Sequence, residues 1–239
     1  MLNYTDILND KEIEILKLKT GLGKKFIIKE RVLMYAFALL EKFNERIILK
    51  GGTAINKIYL DEPRFSEDLD YDSKNAKADT EEIKQFLSDY FKTDLRKMRS
   101  IYRIDCFYNG KDSETDKFRV EIAPKKNIEN TSSKIARSIL FENTFASVKT
   151  YTLDALVKQK MDAYFDRIDG KDFYDLYYIL QTGKAQKEFL EKRDNLLTRL
   201  KHFKHKNIYN TISHYLLKDN RYKYNELIDN FESLLKSLK

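Results

Sequence analysis

Apolar residues in the first fifty positions recur every three or four residues, which is the spacing of helices that pack along one side. One helix is predicted to begin at a cap at Asn9 or Asp10, and a second is predicted over residues 26–43. An apolar strand over residues 46–50 follows them. The two helices are therefore expected to be packing elements ahead of a sheet.

The middle of the chain changes from helical spacing to strand spacing. A helix with acidic residues in its first turn is predicted over residues 79–98, and alternating patterns predict strands over residues 100–108 and 117–123. The connection between these strands begins with Asn-Gly, but it is long enough to favour an extended hairpin loop. Residues 124–147 show no regular period and are expected to be irregular.

The last part of the chain is predicted to be mostly helical. Helices are expected over residues 152–167 and 171–180, and further apolar groups with helical spacing follow over residues 185–239. The whole pattern predicts an α/β (α+β) protein with a mixed sheet and flanking helices. We expect a sheet-containing domain over residues 1–150 and a helical domain over residues 151–239 that contributes to the same site.

Two carboxylates two positions apart mark the candidate chemistry. Asp68 and Asp70 lie in a strand-like run, where side chains alternate between faces, so both carboxylates point the same way. Like charges this close repel unless a cation lies between them, and oxygen ligands suit a hard cation such as Mg²⁺. The pair predicts half of a metal site, and the alternative for two carboxylates alone is a solvated acidic turn.

A glycine pair upstream makes the metal interpretation more specific. Gly51 and Gly52 stand between a strand and a helix, where backbone N–H groups can approach a phosphate closely. Arg64 and Ser66 add a fork of donors and a hydroxyl just before the carboxylates. This order of residues predicts a triphosphate-binding loop followed by its metal ligands.

The two motifs resemble those of the AbiEii/AbiGii (MenT-like) toxin family of the nucleotidyltransferase superfamily. They are Lys-Gly-Gly-Thr-Ala at residues 50–54, which adds Thr53 to the nucleotide site, and Arg-x-Ser-x-Asp-Leu-Asp at residues 64–70. The resemblance implies a nucleotidyltransferase-type sheet and transfer of a nucleotide from a nucleoside triphosphate, GTP included, with Mg²⁺ or Mn²⁺. It also implies a toxin of a toxin–antitoxin or phage-defence pair, with a cognate antitoxin and an RNA acceptor, the tRNA 3′ end in relatives.

A third carboxylate is expected from the strand that contains Glu121. Apolar residues alternate with Arg119 and Glu121 there, so Glu121 can meet Asp68 and Asp70 if the two strands are neighbours. The superfamily takes its third metal ligand from such a strand. The alternative is a surface glutamate on a half-exposed strand.

The helical part supplies the remaining candidates. Lys160 falls on the apolar stripe of its helix, where an ammonium costs free energy unless it meets an anion; the alternative is that it extends to solvent. The resemblance covers Lys160 and an Asp172-x-x-Asp175 motif, although the family usually has arginine where this chain has Lys171. It implies that Lys160 neutralises the triphosphate and that Asp175 orients Lys160 or the nucleotide, with Asp172 as its rival.

Composition limits the classes of protein that the chain can be. Its 239 residues are 42% hydrophobic, which describes a globular protein, and no apolar run is long enough to span a membrane. The single cysteine, Cys106, excludes an internal disulfide and fits a reducing cytoplasm, and the N-terminus does not resemble a signal peptide. The net charge of +7 favours a polyanionic partner, and a basic, tyrosine-rich region after residue 199 is the candidate for an RNA backbone.

Two other functions are compatible with the same residues. One is a nucleotidyltransferase that modifies a hydroxyl of a protein or small molecule, which predicts activity without RNA. The other is a nucleotide-binding module without catalysis, which predicts triphosphate binding that is insensitive to loss of Asp68 when no metal is present.

Overall fold

The computed structural model describes residues 8–109, 115–141, 143–221 and 226–238. Over these residues the chain forms seven strands in one mixed sheet, surrounded by α-helices. The strands are β1 (Ile47–Lys50), β2 (Asp68–Ser73), β3 (Lys92–Met98), β4 (Ile101–Asn109), β5 (Thr115–Pro124), β6 (Thr131–Arg137) and β7 (Phe145–Tyr151). The helices are α1 (Asp10–Thr20), α2 (Lys24–Leu40), α3 (Gly51–Ala54), α4 (Ala76–Leu87), α5 (Leu153–Asp166), α6 (Gly170–Gln181), α7 (Gln186–Leu200), α8 (His205–Ile212), α9 (Lys218–Arg221) and α10 (Leu227–Ser237).

The strand order is β3-β4-β5-β2-β1-β7-β6, with β2 antiparallel to β1 and parallel to β5. Apolar residues alternate with charged ones in the central strands, so that Leu69, Ile104 and Val120 are fully buried on one face. Helices α2 and α4 pack against the sheet, and an aromatic contact between Phe91 and Phe118 joins this layer. The charged positions of the same strands therefore face away from this layer.

The predicted N-terminal helices and the central strands are confirmed. Helix α1 begins at a capping box, in which the Asn9 side chain accepts from the Glu12 backbone N–H and the Glu12 side chain accepts from that of Asn9. The predicted strands 100–108 and 117–123 are β4 and β5, paired antiparallel. The Asn-Gly connection between them enters residues 110–114, which lie outside the described residues.

Two predicted segments are wrong. The helix predicted over residues 79–98 begins earlier, at Ala76, and ends at Leu87, and residues 92–98 form the edge strand β3. Asp79, where the predicted helix starts, lies inside α4 and accepts a hydrogen bond from the Ser73 hydroxyl. Residues 124–147, expected to be irregular, contain β6 and the start of β7. Two of the three missed strands, β3 and β6, lie at the edges of the sheet, where polar residues are tolerated and strand periodicity is weak. The third, β7, is an interior strand between β1 and β6.

The helical C-terminal part folds back onto the segment that precedes β2. The backbone N–H of Phe65 donates to the Tyr215 carbonyl at 2.8 Å, and Arg64 forms a β-bridge with Leu216. One hydrophobic core runs through both parts of the chain. This return contact brings α5 and α6 to the same end of the sheet as the glycine pair and the two aspartates. Among the helices of the described residues, none is long and apolar enough to cross a membrane.

Candidate active site

The sheet register places the predicted carboxylates in one group. Asp70 of β2 stands opposite Glu121 of β5 on one side and opposite Lys50 of β1 on the other. Asp68 lies two positions along β2 and therefore faces the same way, opposite Arg119. The prediction that β2 and β5 are neighbours is confirmed, and the three carboxylates share one face of the sheet.

Burial and neighbouring carboxylates dominate the electrostatics of Asp70. Burial, followed by the negative charges of Glu121 and Asp68, raises the pKa of Asp70 to about 6, although Lys50 and Lys160 oppose the rise. Burial and Glu67 likewise raise the pKa of Asp68, against the effect of Arg119. In the part of the chain that the structure describes, no hydrogen bond or ion pair ties down the Asp70 carboxylate.

The donor set fits Mg²⁺ or Mn²⁺ when substrate phosphates complete it. Mg²⁺ is usually held by one or two carboxylates together with phosphates and water, and Asp68 and Asp70 supply two. Over the described ranges, no group of three or more His, Cys, Asp or Glu side chains is arranged to hold a metal by itself. Glu121 is bound instead by Arg103 at 2.7 Å, so its role as a third ligand stays a prediction.

The glycine pair touches both halves of the site. Gly51 has a φ of +70°, and a Cβ there would lie 2.7 Å from Asp70 Oδ2. A Cβ on Gly52 would lie 2.6 Å from Arg64 Nη2. The helix that begins here, α3 and its π-helical continuation Ile55–Tyr59, therefore starts in direct contact with the carboxylate and with the guanidinium.

Thr53 and Ser66 fasten this helix to β2. The Thr53 hydroxyl donates to the Asp68 carbonyl and lies 2.8 Å from the Ser66 hydroxyl. Since Thr53 has only one hydroxyl proton, Ser66 donates to Thr53 Oγ1 in this arrangement. Both residues are buried, and Thr53 is only 1% exposed. In this structure both side chains position the glycine loop against β2, and the direct nucleotide contact expected of them stays a prediction.

Asp175 is the centre of a buried ion cluster. It accepts from Arg64 Nε at 2.8 Å and from Arg64 Nη2 at 2.7 Å, and Lys160 Nζ lies 3.0 Å away. The Asn56 amide donates to it at 3.0 Å, which links the cluster to the helix after the glycines. Burial favours the neutral acid, but Arg64 and Lys160 outweigh it and lower the pKa of Asp175 to about 2.

Asp172 holds Lys160 from the other side. Its carboxylate accepts from Lys160 Nζ at 2.9 Å and from Arg167 Nε at 2.7 Å. Lys160 thus does not extend to solvent, and both aspartates of the predicted pair contact it.

The donor fork of Arg64, which was expected to face a phosphate, is directed to Asp175. Arg64 and Asp175 are positioning residues in this geometry, whereas Lys160 is near enough to Asp70 to oppose the rise in its pKa.

Sequence reasoning missed several residues that bind the site carboxylates or their neighbours from other elements of the fold. Lys50 Nζ contacts the Asp72 carboxylate at 2.5 Å, and the Tyr151 hydroxyl donates to Asp72 at 2.7 Å. Asp72 continues the two-residue period of Asp68 and Asp70, which is a signal that was available. No local signal identifies Arg167 or Asn56, because their partners come from a different element or from the far end of the chain.

We expect Gly52→Ala to disable the site. The added methyl group meets a guanidinium that is held by two hydrogen bonds to Asp175, so Arg64 can move only by breaking them. Overpacking of this kind costs about 1–3 kcal/mol of folding free energy, and transfer activity should fall with it. Urea denaturation and an activity assay would measure both effects. Gly23→Ala is the control, because nothing lies within 4 Å of a Cβ there, and an equal loss in both variants would contradict the prediction.

Comparison with known proteins identifies one matching family and two solved structures that align with this chain. A family model described as nucleotidyl transferase AbiEii toxin, type IV toxin–antitoxin system, matches residues 32–237. The solved structure of MenT4, a nucleotidyltransferase toxin from Mycobacterium tuberculosis H37Rv, aligns with a TM-score of 0.61 at 12% identity, covering 95% of this chain and 90% of that one. An antigenic nucleotidyltransferase-like protein from Paracoccidioides brasiliensis aligns with a TM-score of 0.47 at 13% identity, covering 71% and 92%. No curated sequence matches the chain. The likeness to MenT4 shows that the fold is that of a nucleotidyltransferase toxin.

Proposed function

The chain belongs to the AbiEii nucleotidyl transferase toxin family of type IV toxin–antitoxin systems, and on that premise we propose that it transfers a nucleotidyl group from a nucleoside triphosphate to a hydroxyl of an RNA acceptor. The observation that carries the proposal is the position of Asp68 and Asp70 beside the glycine pair, with Lys160 held near them. A triphosphate with its divalent cation needs all three features at one place.

Charge complementarity supports a triphosphate at this site. The ion cluster combines two buried cations, Arg64 and Lys160, and the exposed Arg167 with two carboxylates, so it retains one net positive charge. Lys50, whose ammonium is paired with Asp72, stands next to Asp70 on the neighbouring strand β1. The carboxylates that would bind a cation are therefore flanked by positive groups that would bind the anionic phosphates.

The proposed reaction joins the acceptor oxygen to the α-phosphorus and releases pyrophosphate. Asp68 and Asp70, with Glu121 as the expected third ligand, would hold Mg²⁺ or Mn²⁺, which would align the two reacting oxygens and neutralise developing charge. The backbone N–H groups that follow Gly51 would donate to the phosphates. Lys160 would stabilise the charge that grows on the leaving group, and Asp175 and Asp172 would keep its ammonium in place.

An RNA acceptor is the substrate that the family and the charge favour. The net charge of +7 attracts a polyanion, and the toxin family implies a nucleoside triphosphate substrate and a cognate antitoxin. We propose tRNA 3′ ends as the acceptor class. A comparison of the four nucleoside triphosphates would show which base the protein prefers.

We expect label to move from nucleoside triphosphates to RNA when the protein is incubated with Mg²⁺ and total tRNA. Each of four α-labelled triphosphates would be tested, because label at the α-phosphate follows the nucleotidyl group. Chelation by EDTA and the substitution Asp68→Asn should each reduce transfer by roughly 10³-fold, since loss of the cation removes several kcal/mol of charge stabilisation.

Other outcomes would separate the alternatives. Label on the protein itself, or on a small molecule without RNA, would replace RNA by another acceptor. Triphosphate binding with no transfer to any acceptor, equal in wild type and Asp68→Asn, would leave only a binding module. Label that appears on RNA in wild type and in Asp68→Asn alike would contradict the proposed site.

A further inference from the structure

Three aromatic side chains form a layer beside the aspartates. Phe26 of α2 stacks on His214 with ring centroids 5.9 Å apart and planes 27° apart. Tyr215 contacts both rings, at 5.4 Å from Phe26 and 4.0 Å from His214. His214 is exposed, Phe26 is half-buried and Tyr215 is buried beneath them, so His214 and part of Phe26 present aromatic surface to solvent. We call Phe26, His214 and Tyr215 the aromatic shelf.

The aromatic shelf is fixed in position relative to the reactive carboxylates. The Tyr215 hydroxyl donates to Glu67, the residue that precedes Asp68. The Tyr215 carbonyl accepts from the Phe65 backbone N–H at 2.8 Å, and Phe65 packs on Phe26 at 5.2 Å. These contacts tie the shelf to the segment that leads into β2. A group that stacks on the shelf would therefore lie near the place where the proposed transfer occurs.

A cation lies between the shelf and the carboxylates. Lys171 Nζ lies 4.2 Å from the centroid of the Tyr215 ring. Its charge adds to the lowering of the pKa of Glu67 by Tyr215 and Lys29, and it opposes the rise in the pKa of Asp68 that burial causes. Burial and Lys171 also lower the pKa of His214 from 6.5, so its imidazole is neutral at neutral pH. The shelf is thus an uncharged aromatic surface with one ammonium group at its inner edge.

A nucleobase attached to a phosphate matches this arrangement. Every base has a flat π face that stacks on aromatic side chains, and its phosphate would meet the ammonium group. An aliphatic or uncharged peptide ligand would use the rings but would bring no further anion to the ammonium group. We propose, on the basis of the proposed function, that the aromatic shelf stacks one nucleobase, either that of the incoming triphosphate or that of the terminal nucleotide of the acceptor.

The test compares His214→Ala with His214→Phe and Phe145→Ala. His214 is exposed, so its removal should not unfold the protein, and phenylalanine restores a ring without the imidazole nitrogens. Phe145, 64% exposed at the far end of β7, is the control for loss of an exposed aromatic ring. We expect His214→Ala to raise the KM for one substrate by about tenfold, as for one lost base stack, with kcat nearly unchanged. His214→Phe should stay close to wild type.

The affected substrate identifies the base. A raised KM for the triphosphate, with weaker binding of the triphosphate but unchanged binding of inorganic tripolyphosphate, assigns the shelf to the incoming nucleotide. A raised KM for RNA, with weaker binding of a short single-stranded RNA, assigns it to the acceptor. If His214→Ala matches Phe145→Ala in both KM values while wild type is active, the shelf is wrong and the proposed function stands. If wild type binds either ligand in a His214-dependent manner but transfers nothing, the proposed function is wrong and the shelf stands.

Discussion

The substitution Asp70→Asn is expected to abolish nucleotidyl transfer and to make the folded protein more stable. Loss of a proposed metal ligand should reduce transfer by roughly 10³-fold, because a bound divalent cation supplies several kcal/mol of charge stabilisation. Stability should rise because the carboxylate is buried among like charges from Glu121 and Asp68. An amide of the same shape removes that repulsion, and the gain should be about 1–3 kcal/mol at pH 8.

The gain in stability from Asp70→Asn should increase as the pH rises. The pKa of Asp70 is raised from 3.8 to about 6, so the folded state binds this proton more tightly than the unfolded state. The favourable contribution of the protonated group is complete below about pH 4 and is lost as the pH rises to about 6. The difference in melting temperature between Asp70→Asn and wild type should therefore open across this interval and stay constant above it. Thermal melts from pH 3.5 to 8 would measure it.

Asp72→Asn is the comparison on the same strand. Its carboxylate is bound by Lys50 and by the Tyr151 hydroxyl, so the amide should destabilise the protein where Asp70→Asn stabilises it. Mg²⁺ with a triphosphate should raise the melting temperature of wild type but not that of Asp70→Asn, because only wild type has the complete ligand set. A loss of stability in Asp70→Asn, or a rise with Mg²⁺ equal to that of wild type, would contradict the metal site.

The sequence pattern was sufficient for the parts of the site that local period determines. Side chains two apart on a strand share a face, so Asp68 and Asp70 could be grouped, and the apolar alternation around Glu121 placed it on the matching face of β5. The edge strands β3 and β6 could not be predicted in this way. Their residues alternate weakly because one side of each strand has no partner strand, and hydrophobic spacing carries little information there.

Two of the side chains that contact Asp175 could not be found from sequence. Arg64 lies 111 positions away and Asn56 lies 119 positions away, so their contacts depend on how α6 packs against the helix after the glycine pair. A resemblance in motifs named Asp172 and Asp175 as candidates but left open which of them acts. The geometry divides their roles, because Asp175 holds Arg64 and Lys160 together whereas Asp172 joins Lys160 to Arg167.

The substitution Asp175→Asn is expected to cause a large loss of stability. The carboxylate is fully buried and neutralises Arg64 and Lys160, so its removal leaves buried cations without a full partner, at a cost of about 3–5 kcal/mol. For a chain of this length that corresponds to a fall in melting temperature of roughly 10 °C. Urea denaturation at pH 7 would measure the free energy of unfolding. Asp194→Asn, a surface site with 86% of its side chain exposed, is the matched control and should be neutral.

The contribution of Asp175 to stability should rise with pH, whereas that of Asp70 should fall with pH. The pKa of Asp175 is lowered to about 2, so its contribution to stability is present above about pH 4 and is lost as the pH falls towards 2. Asp175→Asn should therefore destabilise the protein less in acid, because the wild-type protein loses the contribution of Asp175 there. The stabilisation by Asp70→Asn should also disappear in acid, because there the wild-type protein has the full contribution of the protonated Asp70. Arg64→Met combined with Asp175→Asn should cost less than the two single losses added together, because the double variant removes one of the unpaired charges. If Asp175→Asn kept wild-type stability at pH 7 while losing activity, Asp175 would act on the substrate directly and the buried cluster would not be its role.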